Sequence, residues 1–322
     1  MKKMLYGMVL SILSVAAATQ ARAEEYPAQP VKIVVGFSAG GPSDVVNRAF
    51  ANFAGTRTGK NFIVENKPGA NSTIATQYVS QAKPDGYTLL GAATNHTMIP
   101  ALYGNRIKFD VEKSFIPICT FAKSPTVLVV GPSFPVTGLN DFLAKVRKSP
   151  GKFSAASAGV GSSGHFATAL FEKIAGVHFN HIPYNGAAPA INALMGGQVD
   201  MSFATLASVL SQVGSGRMKI LAVASSRRLQ SLPDVPTFEE EGIKGYSADA
   251  WYGLLAPAGT PQNAIAVLTD YVKAFQADPA ARKSLKSLGL ESDATCGSAF
   301  AAEIKNEVAT YTELAKSLGL KN

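Results

Sequence analysis

Two short glycine-rich runs carry the residue types best suited to holding an anion. The first, Gly36-Phe37-Ser38-Ala39-Gly40-Gly41-Pro42-Ser43-Asp44, sits between the β-branched run Val31–Val35 and a helical pattern from Asp44 to Phe50. Glycines let the backbone approach a ligand closely, and the free N–H groups of a helix N-terminus favour negative charge. The run has neither the Gly-x-Gly-x-x-Gly spacing of a dinucleotide site nor the Gly-Lys-Ser/Thr of a phosphate loop, so a carboxylate fits better. The alternative is a tight turn in which Ser43 or Asp44 caps the helix. The second run, Ser157-Ala158-Gly159-Val160-Gly161-Ser162-Ser163-Gly164-His165, repeats the pattern further along the chain. Its hydroxyls and N–H groups would clamp a carboxylate with neutral donors, His165 either orienting the helix start or donating to the anion. A bulky side chain at Gly40 or Gly161 is expected to abolish binding.

Other chemistry is less well supported. A secreted hydrolase would use Ser162 or Ser163 with His165. The Gly-x-Ser-x-Gly elbow is not matched and no base with an orienting acid accompanies these serines, so no enzyme is expected. His178 and His181 are three apart, with no carboxylate or Cys at ligand spacing; neither a metal nor a cofactor is expected. Thr94-Asn95-His96-Thr97 is polar at the end of a strand, where open α/β sheets place ligands, the alternative being a capped loop. Trp251 reads as a buried packing anchor.

The elements around these runs alternate strand and helix, the α/β signature. Strands are expected at Phe62-Ile63-Val64-Glu65, Tyr87–Gly91 and Phe115–Cys119, then at Thr126–Val130, Phe153–Ser157, Phe179–Tyr184, Asp200–Ala204 and Ile220–Ala224. An apolar stretch from Tyr246 to Ala256 precedes amphipathic helices at about 262–276 and 298–318. The pattern predicts a discontinuous first lobe, 24–125 plus 246–322, with a second lobe, 126–245, inserted. Two chain crossings would form a hinge.

The N-terminus opens with Lys2 and Lys3, runs apolar from Met4 to Ala18 and reaches Ala21-Arg22-Ala23, the pattern of a secretory leader cleaved near Ala23. Of the 30 basic residues, Lys2, Lys3 and Arg22 precede that point, leaving 27 against 22 acidic ones. No basic cluster interleaved with aromatics appears, so nucleic acid is not an expected partner. The two cysteines, Cys119 and Cys296, permit one disulfide in an oxidising compartment, the alternative being two buried thiols.

Taken together, the chain resembles the Bug-type receptors of the tripartite tricarboxylate transporter family over nearly its whole mature length. The resemblance rests on Pro30–Val35, Phe37–Asp44, Val64-Glu65-Asn66-Lys67-Pro68-Gly69-Ala70, Lys83–Leu90, Ser154–Gly159, His181-Ile182-Pro183-Tyr184-Asn185-Gly186, Gly196–Asp200, Leu232–Thr237 and Trp251–Pro261. It implies a two-lobed periplasmic binding protein of type II-like architecture, with a hinge and an interlobe cleft. It further implies a small carboxylate ligand, delivery to integral-membrane transporter subunits, a periplasmic location and a monomer; a membrane sensor is the alternative partner. Carried over by position, the ligand contacts would be Phe37, Ser38, Ala39, Gly40, Gly41, Ser43 and Asp44 on one side. Opposite them would stand Ser157, Gly159, Gly161, Ser162, Ser163 and His165, with Tyr184 in its motif. Three departures bear on the ligand: Asn71-Ser72-Thr73 follows Pro-Gly-Ala, Thr94-Asn95-His96 replaces Ser-His, and Phe203-Ala204-Thr205 stands where the family often has Phe-Asp-Asn. Ser72, Thr73, Thr94, Asn95, His96 and Thr205 join the candidate site, and the missing acid at Ala204 argues against an amino-acid ligand.

Overall fold

A computed structural model describes residues 26–225, 227–246 and 248–317. The expected leader, 1–23, lies outside the described residues. Among the described residues no helix is long and apolar enough to cross a membrane.

The β-branched runs become strands: β1 (Val31–Val35), β2 (Phe62–Asn66), β3 (Thr88–Ala93), β4 (Phe115–Ser124), β5 (Thr126–Val130), β6 (Ser154–Ser157), β7 (Asn180–Pro183), β8 (Met201–Thr205), β9 (Lys219–Val223), β10 (Ala250–Pro257) and β11 (Glu291–Ser292). They form two sheets. The first runs β11-β4-β10-β3-β1-β2, with β1 parallel to β2 and β3, and β10 antiparallel to β3 and β4. The second runs β7-β6-β8-β5-β9, parallel about β6 and antiparallel about β5. The first sheet thus draws strands from both ends of the chain and the second only from its middle. β1 and β5 are almost wholly buried, as continuous apolar runs covered on both faces must be.

Among the described residues ten α-helices cover the sheets or join their strands: α1 (Pro42–Thr58), α2 (Thr73–Ser80), α3 (Asn95–Tyr103), α4 (Leu139–Lys148), α5 (Ser163–Ala175), α6 (Ala187–Met195), α7 (Leu206–Val209), α8 (Gln262–Ala277), α9 (Pro279–Ser287) and α10 (Gly297–Ser317). The amphipathic α4 shows the local logic. Leu139, Phe142, Leu143 and Val146 are buried while Lys145, Arg147 and Lys148 gather in the last turn, where cations meet the negative end of the helix dipole. Aromatic rings build both cores. Phe50, Phe121 and Phe275 pack edge to face or tilted in the first; Phe171, Phe203, Phe238 and Tyr246 do so in the second.

The chain passes from one sheet to the other at Pro125 and returns between Val223 and Ala250. Tyr246, the first residue of the apolar stretch assigned to the returning first-lobe segment, packs in the second core and donates from its hydroxyl to Ala167 O at 3.0 Å. The polar segment expected at a strand end, with a capped loop as the alternative, opens α3 from Asn95 with Thr94 just before it, a helix obscured in the sequence by Pro100 within it. Cys119 and Cys296 are disulfide-bonded, joining β4 to the residue before α10 across 177 positions of sequence. Trp251 is buried, stacks edge-on with Phe300 and donates from Nε1 to Glu307 Oε2 at 2.8 Å.

Candidate carboxylate site between the sheets

Where β1 and β6 end, the chain turns on glycine into α1 and α5. Gly41 is the residue before α1, with Pro42 at the first helical position, where its missing N–H costs nothing. Ser162 caps α5, its Oγ accepting the His165 N–H at 3.3 Å. A third strand end does the same: β7 leads through Gly186, at φ 124°, into α6. All three helix starts border one cavity, which encloses about 650 Å³ of empty space including its mouth. First-turn N–H groups, such as those of Ser43 and Gly164, have no acceptor within their own helices. Three positive dipole ends therefore meet at this cavity.

Among the described residues no Asp, Glu, Lys, Arg or His lines it. Its polar wall consists of hydroxyls and one carboxamide: Ser43, Asn95, Ser157, Ser162, Ser163 and Thr205, with Ser202 and Ser208. Ser43 Oγ is buried without a hydrogen-bond partner. The rest is apolar, including Phe37, Ile191, Phe203, Ala204 and Ala250, while Tyr252 adds a phenolic hydroxyl that bonds with Thr205.

The expected residues divide between lining and support. Phe37, Gly41, Ser43, Asn95, Ser157, Ser162, Ser163 and Thr205 line the cavity. Ser38 instead donates from Oγ to Asn185 O at 2.7 Å, linking the first loop to the segment before α6, and Ala39 is exposed. Asp44 faces inward on the loop: Gly40 N–H and Asn66 Nδ2 donate to it, and Arg48 pairs with it at 2.9 Å. Burial opposes its charge, but these partners hold its carboxyl below the usual range. Asp44 thus fixes the loop's shape, as a cap would.

Thr94 Oγ1 accepts the Trp251 N–H at 2.7 Å, and Ser72 O accepts from Thr76 Oγ1. Thr73 also stands off the cavity wall. His96 Nε2 bonds to Val111 O at 2.9 Å; complete burial pushes its pKa down to about 4, so it is neutral at pH 7. In the second loop, Gly161 N–H donates to His165 Nδ1 at 3.0 Å, and Gly159 N–H donates to Ser157 Oγ. The His165 ring stacks on His181 with centroids 4.0 Å apart, and burial with that neighbour lowers its pKa to about 4. His181 Nε2 lies 2.7 Å from Ser157 Oγ. His165 is therefore the neutral support of the loop. Tyr184 contributes a backbone N–H to Ser157 O at 3.0 Å. A Cβ added at Gly161 would fall 1.9 Å from Leu102 Cδ1, whereas one at Gly40 would meet nothing within 4 Å. Bulk is thus opposed by packing only at Gly161; at Gly40 only the φ of 82° resists it.

Sequence reading overlooked α6 and the residues around the crossings. Ala187, Ala190 and Ile191 line the cavity, as do Ala250 and Tyr252 beside the Trp251 that read as mere packing. The signal for α6 was present in Pro183-Tyr184-Asn185-Gly186, a third strand leading through glycine into a helix.

Comparison with known proteins agrees with this architecture. The sequence pattern of the tripartite tricarboxylate transporter family receptor matches residues 46–320. The chain belongs to that receptor family. The periplasmic binding protein BugD is 36% identical with a TM-score of 0.87, covering 92% of this chain and all of its own. An R. palustris protein solved with adipate is 29% identical (TM-score 0.88; 91% of this chain, 98% of its own). MatC from Rhodopseudomonas palustris, with bound malate, is 29% identical (TM-score 0.84; 90% of this chain and all of its own). This receptor is thus a periplasmic binding protein in fold, and its family members bind solutes rather than transform them. Among the described residues no group of three or more His, Cys, Asp or Glu is placed to hold a metal.

Proposed function

We propose that the receptor binds a small carboxylate lacking an ammonium group between its two lobes and releases it to integral-membrane transporter subunits. The observation that carries this reading is a cavity ringed by three helix N-termini and neutral donors, with no charged side chain in its wall. A carboxylate set there accepts from Ser43, from the hydroxyls of Ser162 and Ser163 and from first-turn N–H groups, each bond strengthened by the ligand's charge. The apolar wall, including Phe37, Ile191, Phe203 and Ala204, receives the rest of the ligand. An amino acid would bring an ammonium that no carboxylate in this wall answers, a desolvation cost without compensation. Adipate and malate in the two related structures belong to the same chemical class.

The first lobe is 24–125 with the C-terminal part of the chain, and the inserted lobe begins at 126. Tyr246 and Ala248 pack in the second core, which extends the inserted lobe to that point. Cleavage near Ala23 would free the mature receptor into the periplasm. Closure about the crossings follows from the ligand's preference for the closed arrangement.

A thermal-shift screen over mono-, di- and aromatic carboxylates, followed by calorimetry, tests the reading, since a ligand of the folded state raises the unfolding temperature. Binding of simple or aromatic carboxylates is expected. Binding of aspartate or glutamate alone overturns it.

A further inference from the structure

Besides Ser38, one further polar residue outside the cavity wall reaches across the cleft, Asn71. Ala70, Asn71 and Ser72 have φ of 46°, 51° and 69°, three consecutive non-glycine residues in the left-handed region. Such conformations persist only where surrounding structure imposes them, and they gather at functional positions. The turn packs directly on the end of β1: a Cβ at Gly36 would lie 1.9 Å from Ser72 Oγ. Asn95 Nδ2, at the start of α3, donates to Asn71 O at 2.9 Å and holds the turn from the other side. Held so, Asn71 extends its carboxamide to the opposite loop, where Nδ2 donates to Gly161 O at 2.9 Å. Gly161 fits only because it lacks a side chain, its Cβ position being 2.8 Å from Asn71 Nδ2 as well as against Leu102. Leu102 in turn packs with Met98, Phe166 and Ala315, an apolar seam that joins α3 and α10 of one lobe to α5 of the other.

The junction is not one-sidedly favourable. Asn71 Oδ1 and Asn95 Oδ1 are both buried without a partner, and a buried acceptor left unpaired costs its desolvation. The same side chain contributes a bond that exists only when the lobes meet and an oxygen that water would solvate when they part.

We propose that Asn71 is an interlobe latch, a positioning residue that touches no ligand but sets the population of the closed arrangement, and hence affinity for every ligand alike. The inference builds on the solute-receptor reading, but its first readout does not depend on which solute binds. A latch scales all affinities by one factor, whereas a contact residue changes their ratio.

Two variants test it, Asn71→Asp and Asn71→Gly, both compatible with a left-handed backbone. Each is first shown to unfold cooperatively. Solution scattering without added ligand should give both variants a larger radius of gyration than wild type. With adipate and malate as probes, each variant should bind both roughly fivefold more weakly, as expected for one neutral hydrogen bond. In the Asp variant, acidification protonates the new carboxyl, whose O–H can then donate to Gly161 O. Its affinity should recover towards that of wild type as pH falls, while the Gly variant shows no recovery. His165, which accepts from the Gly161 N–H, faces the same junction, and the wild type measured over the same pH range is its control. Superimposable scattering of wild type and both variants overturns the latch, as does an unequal change in the two affinities. If neither probe binds wild type, the carboxylate reading loses its support, and scattering still decides the latch.

Discussion

Ser43 separates the site's demands from those of the fold. Its hydroxyl is buried with no partner in the protein, so Ser43→Ala removes no internal bond, and the unfolding temperature should hold or rise slightly. Carboxylate affinity should fall about 10- to 100-fold, the range for losing a hydrogen bond to a charged acceptor; calorimetry on the ligand found by the screen measures it. Ala204→Asp makes the converse change, setting a carboxylate in a wall that has none. Like-charge repulsion should abolish anion binding in the same titration, while an amino acid with a free ammonium would lose less. Both residues were visible in the sequence for different reasons, Ser43 by its place at a helix start and Ala204 by departure from the family's acid. Asn71 was visible only as one polar residue among three. Its role depends on a left-handed backbone that Gly69-Ala70-Asn71-Ser72 does not announce, since only the first of those four is a residue that adopts it freely.

Strands and their glycine turns were the most legible elements, because a β-branched run such as Thr126–Val130 can do little but form a buried strand. Helices with small or interrupted faces were less so. α6, rich in alanine, has no polar face to set its period, and α3 carries Pro100; both nonetheless supply cavity residues. Cysteine pairing lay beyond the sequence, because a separation of 177 positions says nothing about proximity. The bond now predicts an element-level effect. Replacing Cys119 and Cys296 with Ser frees the β4–α10 junction and should cost about 2–4 kcal/mol. Urea unfolding of the variant and of wild type, each fitted with its own slope because the freed chain unfolds to a more open state, measures that loss.

At the scale of the whole molecule, the two carboxyls most strongly shifted by burial among the described residues, Glu307 and Asp249, stand off the cavity wall. Burial raises the Glu307 pKa to about 7, despite bonds from Trp251 Nε1 and Thr97 Oγ1, and raises Asp249 to about 6. A carboxyl that keeps its proton in the folded state but releases it when unfolded makes folding less favourable as pH rises between those two pKa values. His96, His165 and His181, all lowered by burial, act in the opposite sense as pH falls below their ordinary range. A difference measurement removes their contribution. Glu307→Gln, which keeps an oxygen for Trp251, should gain unfolding temperature relative to wild type as pH rises from about 4.5 to about 7; scanning calorimetry at several pH values reads the gain. The separation of charge from cleft has a further consequence. In the proposed site an anion would be held by peptide dipoles and hydroxyls between the lobes, which offers dissolved ions no exposed cation to mask. Outside a cell's inner membrane the salt concentration follows the surroundings, and on that reading the receptor's affinity for its solute should change little as salt is varied in a calorimetric titration.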